Sequence, residues 1–211
     1  MRMANVVLAA GASRRFGSKK TAYKLENNQS ILENILDKIN KMSVSDATEM
    51  ISVVVLNDDS LEDETDSQNP FEIHKDILKG WKVLINRDYQ KGISTSIKKA
   101  VEKCISADID GILLFLGDMP FVPGTLIRQV IDASKERPGH FIRPIYHDTP
   151  GFPVFIPRRF FKELLTLTGD KGAMGIIRAH REALFTIQTE QKGCIFDIDH
   201  QDDLKEIQKA E

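Results

Sequence analysis

Four short apolar runs, with helical segments between them, constrain the fold of this chain more than any other feature. The runs are Asn5–Ala9, Ile51–Leu56, Trp81–Ile85 and Gly111–Leu116. None of them alternates with polar residues, which is typical of strands buried on both faces. Apolar residues at helical spacing lie between them, namely Ile31, Ile35, Leu36 and Ile39, and later Ile93, Ile97, Ala100, Val101 and Cys104. This order predicts an α/β fold, a three-layer sandwich with helices on both faces of a mostly parallel, Rossmann-like sheet.

The second half of the chain predicts a different mixture of elements. Phe141–Tyr146 and Phe152–Ile156 are expected to be strands around a Pro150–Gly151 turn. Further along, the patterns predict helices at Phe160–Leu167 and Gly172–His180, a strand at Ala183–Gln188 and a short closing helix at Asp202–Gln208. Since 211 residues fit one domain and no break in composition marks a linker, we expect a single domain over residues 1–211. One segment, Asn57–Pro70, has six acidic residues and no basic one, which indicates a solvated loop.

Charge and cysteine content exclude several classes of function. The chain has 29 Lys plus Arg, 31 Asp plus Glu and a net charge of −2, so it lacks the basic field that nucleic-acid or anionic-membrane binding requires. No run is long enough to cross a bilayer, which takes about 20 apolar residues. Cys104 and Cys194 fit neither a disulfide framework nor a zinc site. We therefore expect a cytoplasmic protein, and the absence of heptads favours a monomer.

The loop after the first predicted strand is rich in small residues and cations. It runs from Leu8 to Lys20, and its small residues would let backbone N–H groups approach a phosphate while Arg and Lys neutralise the charge. Five residues separate Gly11 from Gly17, so the loop is not a P-loop. A tight turn with solvated cations remains the alternative.

Carboxylates at two positions are candidates for a magnesium site. Asp118 follows the fourth predicted strand, where a parallel sheet places its ligands, and Mg²⁺ needs only one or two carboxylates beside phosphate oxygens and water. The alternative is that Asp118 caps a helix that starts near Pro123. Asp197 and Asp199 are candidates for a second carboxylate contact, although Asp199 could equally cap the last helix. Ser94 and Ser96 follow Gly92 at a helix start, where they could cap the helix, bind a nucleotide, or both.

The Leu8–Lys20 loop resembles the signature of the MobA-like nucleotidyltransferases, which act on the molybdenum cofactor. The resemblance rests on Leu8, Ala9, Ala10, Gly11, Ser13, Arg14, Gly17 and Lys20. Further similar segments follow in the family's order: Asn86 with Gly92–Ser96, Gly117–Pro120, Gly151–Val154, Gly169–Ala173 and Asp197–Leu204. Within the family the chain is most similar to the cytidylyltransferases, because it has Ala9-Ala10-Gly11 where guanylyltransferases tend to have Ala-Gly-Gly. The resemblance implies a nucleotidyltransferase fold of the GT-A type, with a nucleotide-binding half at about 1–125 and an acceptor-binding half at about 126–211.

The resemblance also implies roles for individual residues. Arg14, Lys20 and Asp118 would be catalytic, and Asp118, Asp197 and Asp199 would contact Mg²⁺. The nucleotide would be bound by Leu8, Ala9, Ala10, Gly11, Ala12, Ser13, Asn86, Gly92, Ser94, Ser96 and Gly117. Gly151, Pro153 and Lys171 would bind the acceptor, although Lys171 could equally be a solvated lysine. Phe152 departs from the family pattern, in which a small polar or imidazole side chain is common, and this puts the identity of the acceptor in doubt.

The implied reaction transfers CMP from CTP to the phosphate of molybdopterin, with release of pyrophosphate. The nucleophile is already an anion, so positioning and charge neutralisation would suffice. The expected partners are CTP or another NTP, a molybdopterin-type acceptor and a recipient molybdoenzyme. Two alternatives remain open: a guanylyltransferase or sugar-1-phosphate nucleotidyltransferase on the same scaffold, and a cofactor-delivery protein without turnover. Aromatic residues at Phe141, Tyr146 and Phe152 are compatible with a pterin groove in the second half.

Overall fold

The computed structural model describes residues 1–11, 16, 20–43, 50–58, 76–200 and 202–203. The expectations for Ala12, Ser13 and Arg14 concern residues outside these ranges. The same holds for most of the Asn57–Pro70 segment and for the closing helix beyond Asp203.

Eight strands of the described chain form one mainly parallel sheet. They are β1 (Met3–Leu8), β2 (Met50–Leu56), β3 (Trp81–Ile85), β4 (Gly111–Leu116), β5 (Phe141–Tyr146), β6 (Thr149–Pro150), β7 (Val154–Pro157) and β8 (Leu184–Gln188). Their spatial order is β3-β2-β1-β4-β7-β5-β6, and β8 pairs with β5. Parallel pairs join β3 to β2, β2 to β1, β1 to β4 and β5 to β8, whereas β7 runs antiparallel between β4 and β5. The prediction of a mostly parallel sheet is confirmed.

Helices cover both faces of the sheet, as a three-layer sandwich requires. They are α1 (Ile31–Ser43), α2 (Ile93–Ser106), α3 (Gly124–Glu136), α4 (Phe161–Leu164) and α5 (Met174–Ala179). One core layer packs Val6 of β1 against α2, α4 and α5, and the other packs its neighbour Val7 against α1 and α3. Successive strand residues point to opposite faces, so the apolar runs supply both layers. No helix within the described residues is long and apolar enough to cross a membrane.

The first helix begins with a reciprocal pair of hydrogen bonds. The Glu33 backbone N–H donates to Ser30 Oγ at 3.1 Å, and the Ser30 N–H donates to Glu33 Oε2 at 2.6 Å. This capping box satisfies two N–H groups at the helix start. It fixes the start of α1, and α1 contacts the short 3₁₀ turn Lys20–Ala22 in space.

The order of the strands creates a crevice between β1 and β4. From β1 the chain adds β2 and then β3 on one side, and β4 lies on the other side of β1. Such a reversal opens a cleft at the carboxyl ends of the two central strands. Leu8 and Leu116, the last residues of β1 and β4, stand opposite each other. The segments that follow them therefore form the walls of this cleft.

Several boundaries in the second half differ from the sequence-based expectation. The turn after β5 lies at His147 and Asp148, with φ angles of 41° and 65°, and not at Pro150–Gly151. β7 begins at Val154, because Pro153 has no N–H for the ladder and the Phe152 N–H donates to Cys194 O at 2.7 Å. The helices are also shorter, since α4 follows a 3₁₀ turn over Arg158–Phe160 and α5 starts only at Met174.

Phe141 is one of the three aromatic residues that the sequence left compatible with a pterin groove, and the structure places it in the core instead. Phe141 is fully buried and stacks on Phe160, with 4.2 Å between the ring centroids. Its ring belongs to the core layer below α4. It can therefore contribute to the stability of the second half but not to a groove.

Candidate active site

Close backbone packing joins the segments that follow β1 and β4. The Gly117 N–H donates to Leu8 O at 2.8 Å. On the other side of β1, the Ala9 N–H donates to Val55 O of β2 at 2.9 Å. A Cβ atom on Gly117 would lie 2.7 Å from the Cβ of Ala9, which is closer than two carbon atoms can approach without a shift. The small residues at 9 and 117 are thus required by packing, and they bring Asp118 close to the loop after β1.

Lys20 points into the cleft and binds two carboxylates. Its Nζ lies 2.8 Å from Asp118 Oδ2 and 2.9 Å from Asp199 Oδ1, and the side chain is only 11% exposed. Burial alone would lower the pKa of Lys20, but the attraction of Asp118 and Asp199 outweighs it and raises the pKa above the ordinary value. Lys20 is therefore a charged ammonium at neutral pH, held at the carboxyl end of β4.

Three carboxylates converge beside this ammonium group. Oxygen atoms of Asp118, Asp197 and Asp199 lie within 4.8 Å of one another. Ile198 explains this geometry, because it is fully buried against Phe16 and its N–H donates to Asp118 O at 3.0 Å. With Ile198 anchored in that small cluster, both neighbouring aspartates reach Asp118, whereas the sequence had left open which of them would do so.

The carboxylate cluster fits a divalent cation. Three carboxylates and one ammonium leave a formal excess of two negative charges among the described groups, and oxygen ligands are those that Mg²⁺ prefers. Partial burial and the negative charge of Asp118 raise the pKa of Asp197, which is the sign expected for carboxylates crowded together. A bound cation would relieve this repulsion.

The capping alternative does not account for Asp118. The helix α3 begins after Pro123 and has no side-chain cap, while the Asp118 carboxylate faces Lys20. At the other position, Asp203 Oδ2 accepts the backbone N–H groups of Asp199 at 2.7 Å and His200 at 2.6 Å. The Asp199 side chain is directed towards Lys20, and most of the helix that it could have capped lies outside the described residues.

A cavity of about 420 Å³ opens between the segments after β1, β3 and β4. This volume lies in the usual range of small-molecule sites. Its walls are formed by Leu8, Ala9, Ala10, Gly11, Phe16, Lys20, Thr21, Tyr89, Gln90, Gly92, Ile93, Ser96, Leu116, Asp118, Asp170 and Asp199. Lys20, Asp118 and Asp199 lie on one side and the start of α2 on the other, so a ligand in the cavity would extend from the carboxylate cluster to α2.

The structure separates the polar residues after β3 into two groups. Ser96 and Gly92 line the cavity, but Asn86 and Ser94 do not. The amide Nδ2 of Asn86 donates to Thr95 Oγ1 and Ser96 Oγ, both at 2.8 Å, and Asn86 is 1% exposed. The Ser94 N–H donates to Gly169 O at 3.1 Å, and Gly92 occupies the cap position of α2 without a side-chain cap. Asn86 and Ser94 therefore hold the start of α2 in place, and the N-cap interpretation of the two serines was wrong.

The three residues expected on the acceptor side lie away from the cavity wall. Gly151 is buried, donates its N–H to Pro144 O at 2.8 Å and packs so tightly on Cys194 that a Cβ would lie 2.7 Å from its Sγ. Pro153 is buried at the start of β7. Lys171 is exposed, and the cavity wall is formed instead by its neighbour Asp170.

Sequence reasoning missed several residues of the cavity wall. Tyr89, Gln90 and Ile93 follow β3, so the rule that ligands bind beyond the carboxyl ends of parallel strands could have found them. Asp170 lies in the Gly169–Ala173 segment that resembles the family, but the expectation for this segment fell on its neighbour Lys171. Its place in the wall results from the Gly169 contact with the start of α2.

A doubly wound sheet with a carboxylate cluster and a lysine at its switch point defines a nucleotidyltransferase. Residues 5–184 match the MobA-like NTP transferase domain, and the chain belongs to this family. Purine catabolism protein PucB of Bacillus subtilis is 27% identical to it over 97% of this chain and 95% of its own length. A protein of Natranaerobius thermophilus named "Probable molybdenum cofactor guanylyltransferase" is 30% identical over 71% of this chain and 64% of its own length.

Solved structures share the fold over almost the whole chain. Rv0371c of Mycobacterium tuberculosis H37Rv superposes with a TM-score of 0.78 at 25% identity and covers 99% of both chains. The same protein has also been solved in a complex with manganese, and that structure gives a TM-score of 0.73 at 22% identity, with 100% of both chains covered. A nucleotidyl transferase from Methanothermobacter thermautotroptrophicus superposes with a TM-score of 0.72 at 18% identity and covers 99% of this chain and 96% of its own. The arrangement of the sheet and its helices is therefore that of the nucleotidyltransferase fold.

Proposed function

We propose that this protein transfers CMP from CTP to the phosphate of a molybdopterin-type acceptor in a Mg²⁺-dependent reaction that releases pyrophosphate. The observation that carries the proposal is the convergence of Asp118, Asp197 and Asp199 with Lys20 at the mouth of the cavity. A cation site beside a buried ammonium group suits a reaction in which negative charge develops on phosphate oxygens.

The chain's own groups would act by positioning and charge neutralisation. An oxygen of the acceptor phosphate forms a bond to the α-phosphorus of the nucleotide, and the bond from the α-phosphorus to the bridging oxygen of pyrophosphate breaks. The attacking oxygen is already an anion, so no side chain has to remove a proton from it. Lys20 is charged and close to Asp118, so it can neutralise a phosphate oxygen near the reacting atoms. The walls formed by Tyr89, Gly92 and Ile93 would hold the nucleoside end of the substrate.

Mg²⁺ would be held by Asp118 and by one or both of Asp197 and Asp199. When bound, it supplies a positive charge that polarises the α-phosphate and stabilises the departing pyrophosphate. Ile198 keeps the two later aspartates beside Asp118.

The name of one relative supports an acceptor of the molybdenum-cofactor type. The Natranaerobius relative is named for molybdenum cofactor guanylyl transfer, and the Bacillus relative is named for purine catabolism. We infer that the product serves a molybdoenzyme. The name of the Bacillus relative favours a recipient enzyme that acts in purine breakdown.

Guanylyl transfer is the second candidate function. The relative named as a guanylyltransferase is 30% identical, which favours GTP. The sequence Ala9-Ala10-Gly11 favours CTP, and both Ala10 and Gly11 line the cavity. The choice of base is therefore the first quantity to measure.

Thermal unfolding with CTP, GTP, UTP and ATP, each with Mg²⁺ and with EDTA, tests the choice of base. A ligand at about 100 times its Kd adds roughly 2.7 kcal/mol to the free energy of unfolding, which raises the Tm by several degrees. We expect a Mg²⁺-dependent increase with CTP alone. An increase with GTP alone would establish guanylyl specificity instead, and no increase with any nucleotide would contradict nucleotidyl transfer by this site.

Turnover of the Asp118→Asn variant tests the carboxylate cluster. The substitution keeps the size of the side chain and removes one charge, so we expect pyrophosphate release to fall at least 10³-fold while the Tm stays within a few degrees of the original value. Asp132→Asn, at an exposed carboxylate that contacts Lys135 on α3, is the matched control and should retain full activity. Near-normal activity of Asp118→Asn would exclude a metal role for this residue.

A further inference from the structure

Arg143, in the middle of β5, is a buried guanidinium with weak partners. The residue is 2% exposed. Its Nη2 donates to Gly151 O at 3.0 Å, its Nη1 contacts Met174 Sδ at 2.7 Å, and its Nε has no hydrogen-bond partner. A thioether sulfur is a weak acceptor, so one carbonyl oxygen is the only strong partner of this group among the described residues.

The positive charge of Arg143 is not compensated by its described neighbours. A buried charge normally requires an oppositely charged partner, because removal from water costs several kcal/mol. Within the described residues no carboxylate pairs with Arg143; the Cys194 thiol acts to raise the pKa of Arg143 and Arg178 to lower it, and burial raises the pKa of Cys194 itself, so that this thiol is neutral at neutral pH. Burial lowers the pKa of Arg143 to about 10, so the group is still charged at neutral pH. This environment favours the binding of an anion.

The cover over Arg143 can move. Met174, which lies over Nη1, is only half-buried and stands at the start of α5 between Gly172 and Gly175. A Cβ on either glycine would meet no atom within 4 Å, so the chain before and after the methionine is not tightly packed at these two positions. Methionine side chains are flexible, and a rotation of this one would expose Nη1.

We infer that Arg143 binds an oxyanion of the acceptor substrate after Met174 moves aside. The identification of the ligand as part of the acceptor rests on the proposed function. Ile142 of β5 and Leu113 of β4 both pair with Phe155 of β7, so the two strands lie about 10 Å apart across the sheet at the usual strand spacing. Asp118 lies beyond the end of β4 at Leu116 and is therefore further than this from Arg143. The oxyanion at Arg143 is therefore a different group from the phosphate that reacts beside Asp118. It is either a second phosphate or carboxylate, or the oxo-metal end of a metal-loaded acceptor.

Arginine suits this task because its planar guanidinium can donate two parallel hydrogen bonds to one oxyanion. It would recognise the acceptor far from the reacting bond, and such remote contacts orient a substrate without taking part in the chemistry. Arg143 would then be a specificity-determining residue of the acceptor-binding half.

Calorimetric titration of the full-length chain with inorganic phosphate and with molybdate tests the inference. We expect both the original protein and an Arg181→Met control, which removes an exposed arginine, to bind at least one of these anions. Arg143→Met should weaken that binding at least tenfold, Arg143→Lys should weaken it less, and Met174→Ala should keep or tighten it. A preference for phosphate indicates a phosphate or carboxylate group on the acceptor, and a preference for molybdate indicates the oxo-metal end.

The Tm in anion-free buffer supplies a second readout. Because Arg143 is uncompensated, its replacement by methionine should leave the Tm unchanged or raise it, and the increase that the anion causes should be lost. Equal anion binding by Arg143→Met and Arg181→Met would overturn the inference, as would a large fall in Tm together with unchanged binding. If Arg143→Met does not fold, weaker anion binding by Met174→Ala would overturn it.

The Lys20→Met variant separates this inference from the proposed function. Anion binding that remains in Lys20→Met and is lost in Arg143→Met belongs to the acceptor half. A missing Mg²⁺-dependent nucleotide response would contradict the proposed function and leave such anion binding untouched.

Discussion

The Lys20 ammonium occupies the position between Asp118 and Asp199 that a cation would share. It lies 2.8 Å and 2.9 Å from their oxygen atoms, which is an ordinary distance for a charged hydrogen bond. A nucleotide phosphate that attracts Lys20 would free the two carboxylates for a divalent cation. Lys20 would thereby link the binding of the nucleotide to the binding of the metal.

Replacement of Lys20 by methionine should have opposite effects on metal binding and on turnover. Without the ammonium, the three carboxylates repel one another more strongly, so we expect Mn²⁺ to bind at least threefold more tightly in the absence of nucleotide. Turnover should fall by about 10² to 10³, the scale for the loss of one charge partner in the transition state. Mn²⁺ binding can be followed by electron paramagnetic resonance and turnover by pyrophosphate release.

Lys24→Met is the matched control, because Lys24 is exposed and only four residues away. We expect it to change neither quantity by more than a factor of two. Metal binding that is unchanged or weaker in Lys20→Met would show that Lys20 does not compete with the cation.

The start of α2 depends on a close contact with the segment that precedes α5. Gly92 has a φ of 104°, and a Cβ on it would overlap the backbone carbonyl group of Gly169. The Ser94 N–H also donates to Gly169 O, so a hydrogen bond joins the two segments beside this contact. Since Gly92 and Asp170 both line the cavity, this junction sets the shape of the wall opposite Lys20.

The Gly92→Ala substitution should therefore destabilise the protein and weaken nucleotide binding together. We expect the free energy of unfolding in urea to fall by more than about 2 kcal/mol, because both the backbone angle and the contact with Gly169 resist a side chain. Gly175→Ala in α5 is the control. Its Cβ would meet nothing within 4 Å, so it should be neutral or stabilising by up to about 1 kcal/mol. A loss equal to that of the control would mean that the two segments can separate without cost.

The sequence predicted the strands of the first half well, because their burial on both faces leaves a plain apolar pattern. It did not predict the turn at His147 and Asp148, since this pair lacks the glycine that usually marks a two-residue turn. The end of α4 at Leu164 was also missed, as the apolar spacing continues to Leu167, which is buried beyond the helix.

For the candidate site, the sequence pointed to Lys20 and Asp118, because both positions follow from the loop after β1 and the carboxyl end of β4. The position of Asn86 after a strand looked equally suitable for a ligand. Its amide is instead bonded to Thr95 and Ser96, a contact that only the fold of α2 reveals. Arg143 gave no signal either, because nothing in an apolar strand shows whether a charged side chain will find a partner.

At the scale of the whole molecule, one sheet connects the two halves of the chain, for which we propose nucleotide binding and acceptor binding respectively. β7 pairs with β4 along four residues, from Gly111 opposite Pro157 to Leu114 opposite Val154. The core layer below α2 also continues below α4 and α5. Local interactions in the second half should therefore contribute to the stability of the whole chain, and this contribution can be measured at the contact between Glu163 of α4 and His180, which follows α5.

The contact between His180 and Glu163 should make the stability of the protein depend on pH. His180 Nε2 lies 2.9 Å from Glu163 Oε2, and this hydrogen bond raises the pKa of His180 above the ordinary value of 6.5, with a smaller contribution from Glu182. Because the folded state holds the proton more tightly than the unfolded chain, the stabilisation is fully present below pH 6.5 and is lost as the pH rises through the pKa of the folded state. We expect His180→Gln to lower the urea midpoint more at pH 5.5 than at pH 8.5.

The same measurement on Glu163→Gln and on the double variant should give a coupling free energy between the two sites at pH 5.5 that disappears at pH 8.5. A coupling of equal size at both pH values would mean that the contact stabilises the protein without the charge on His180.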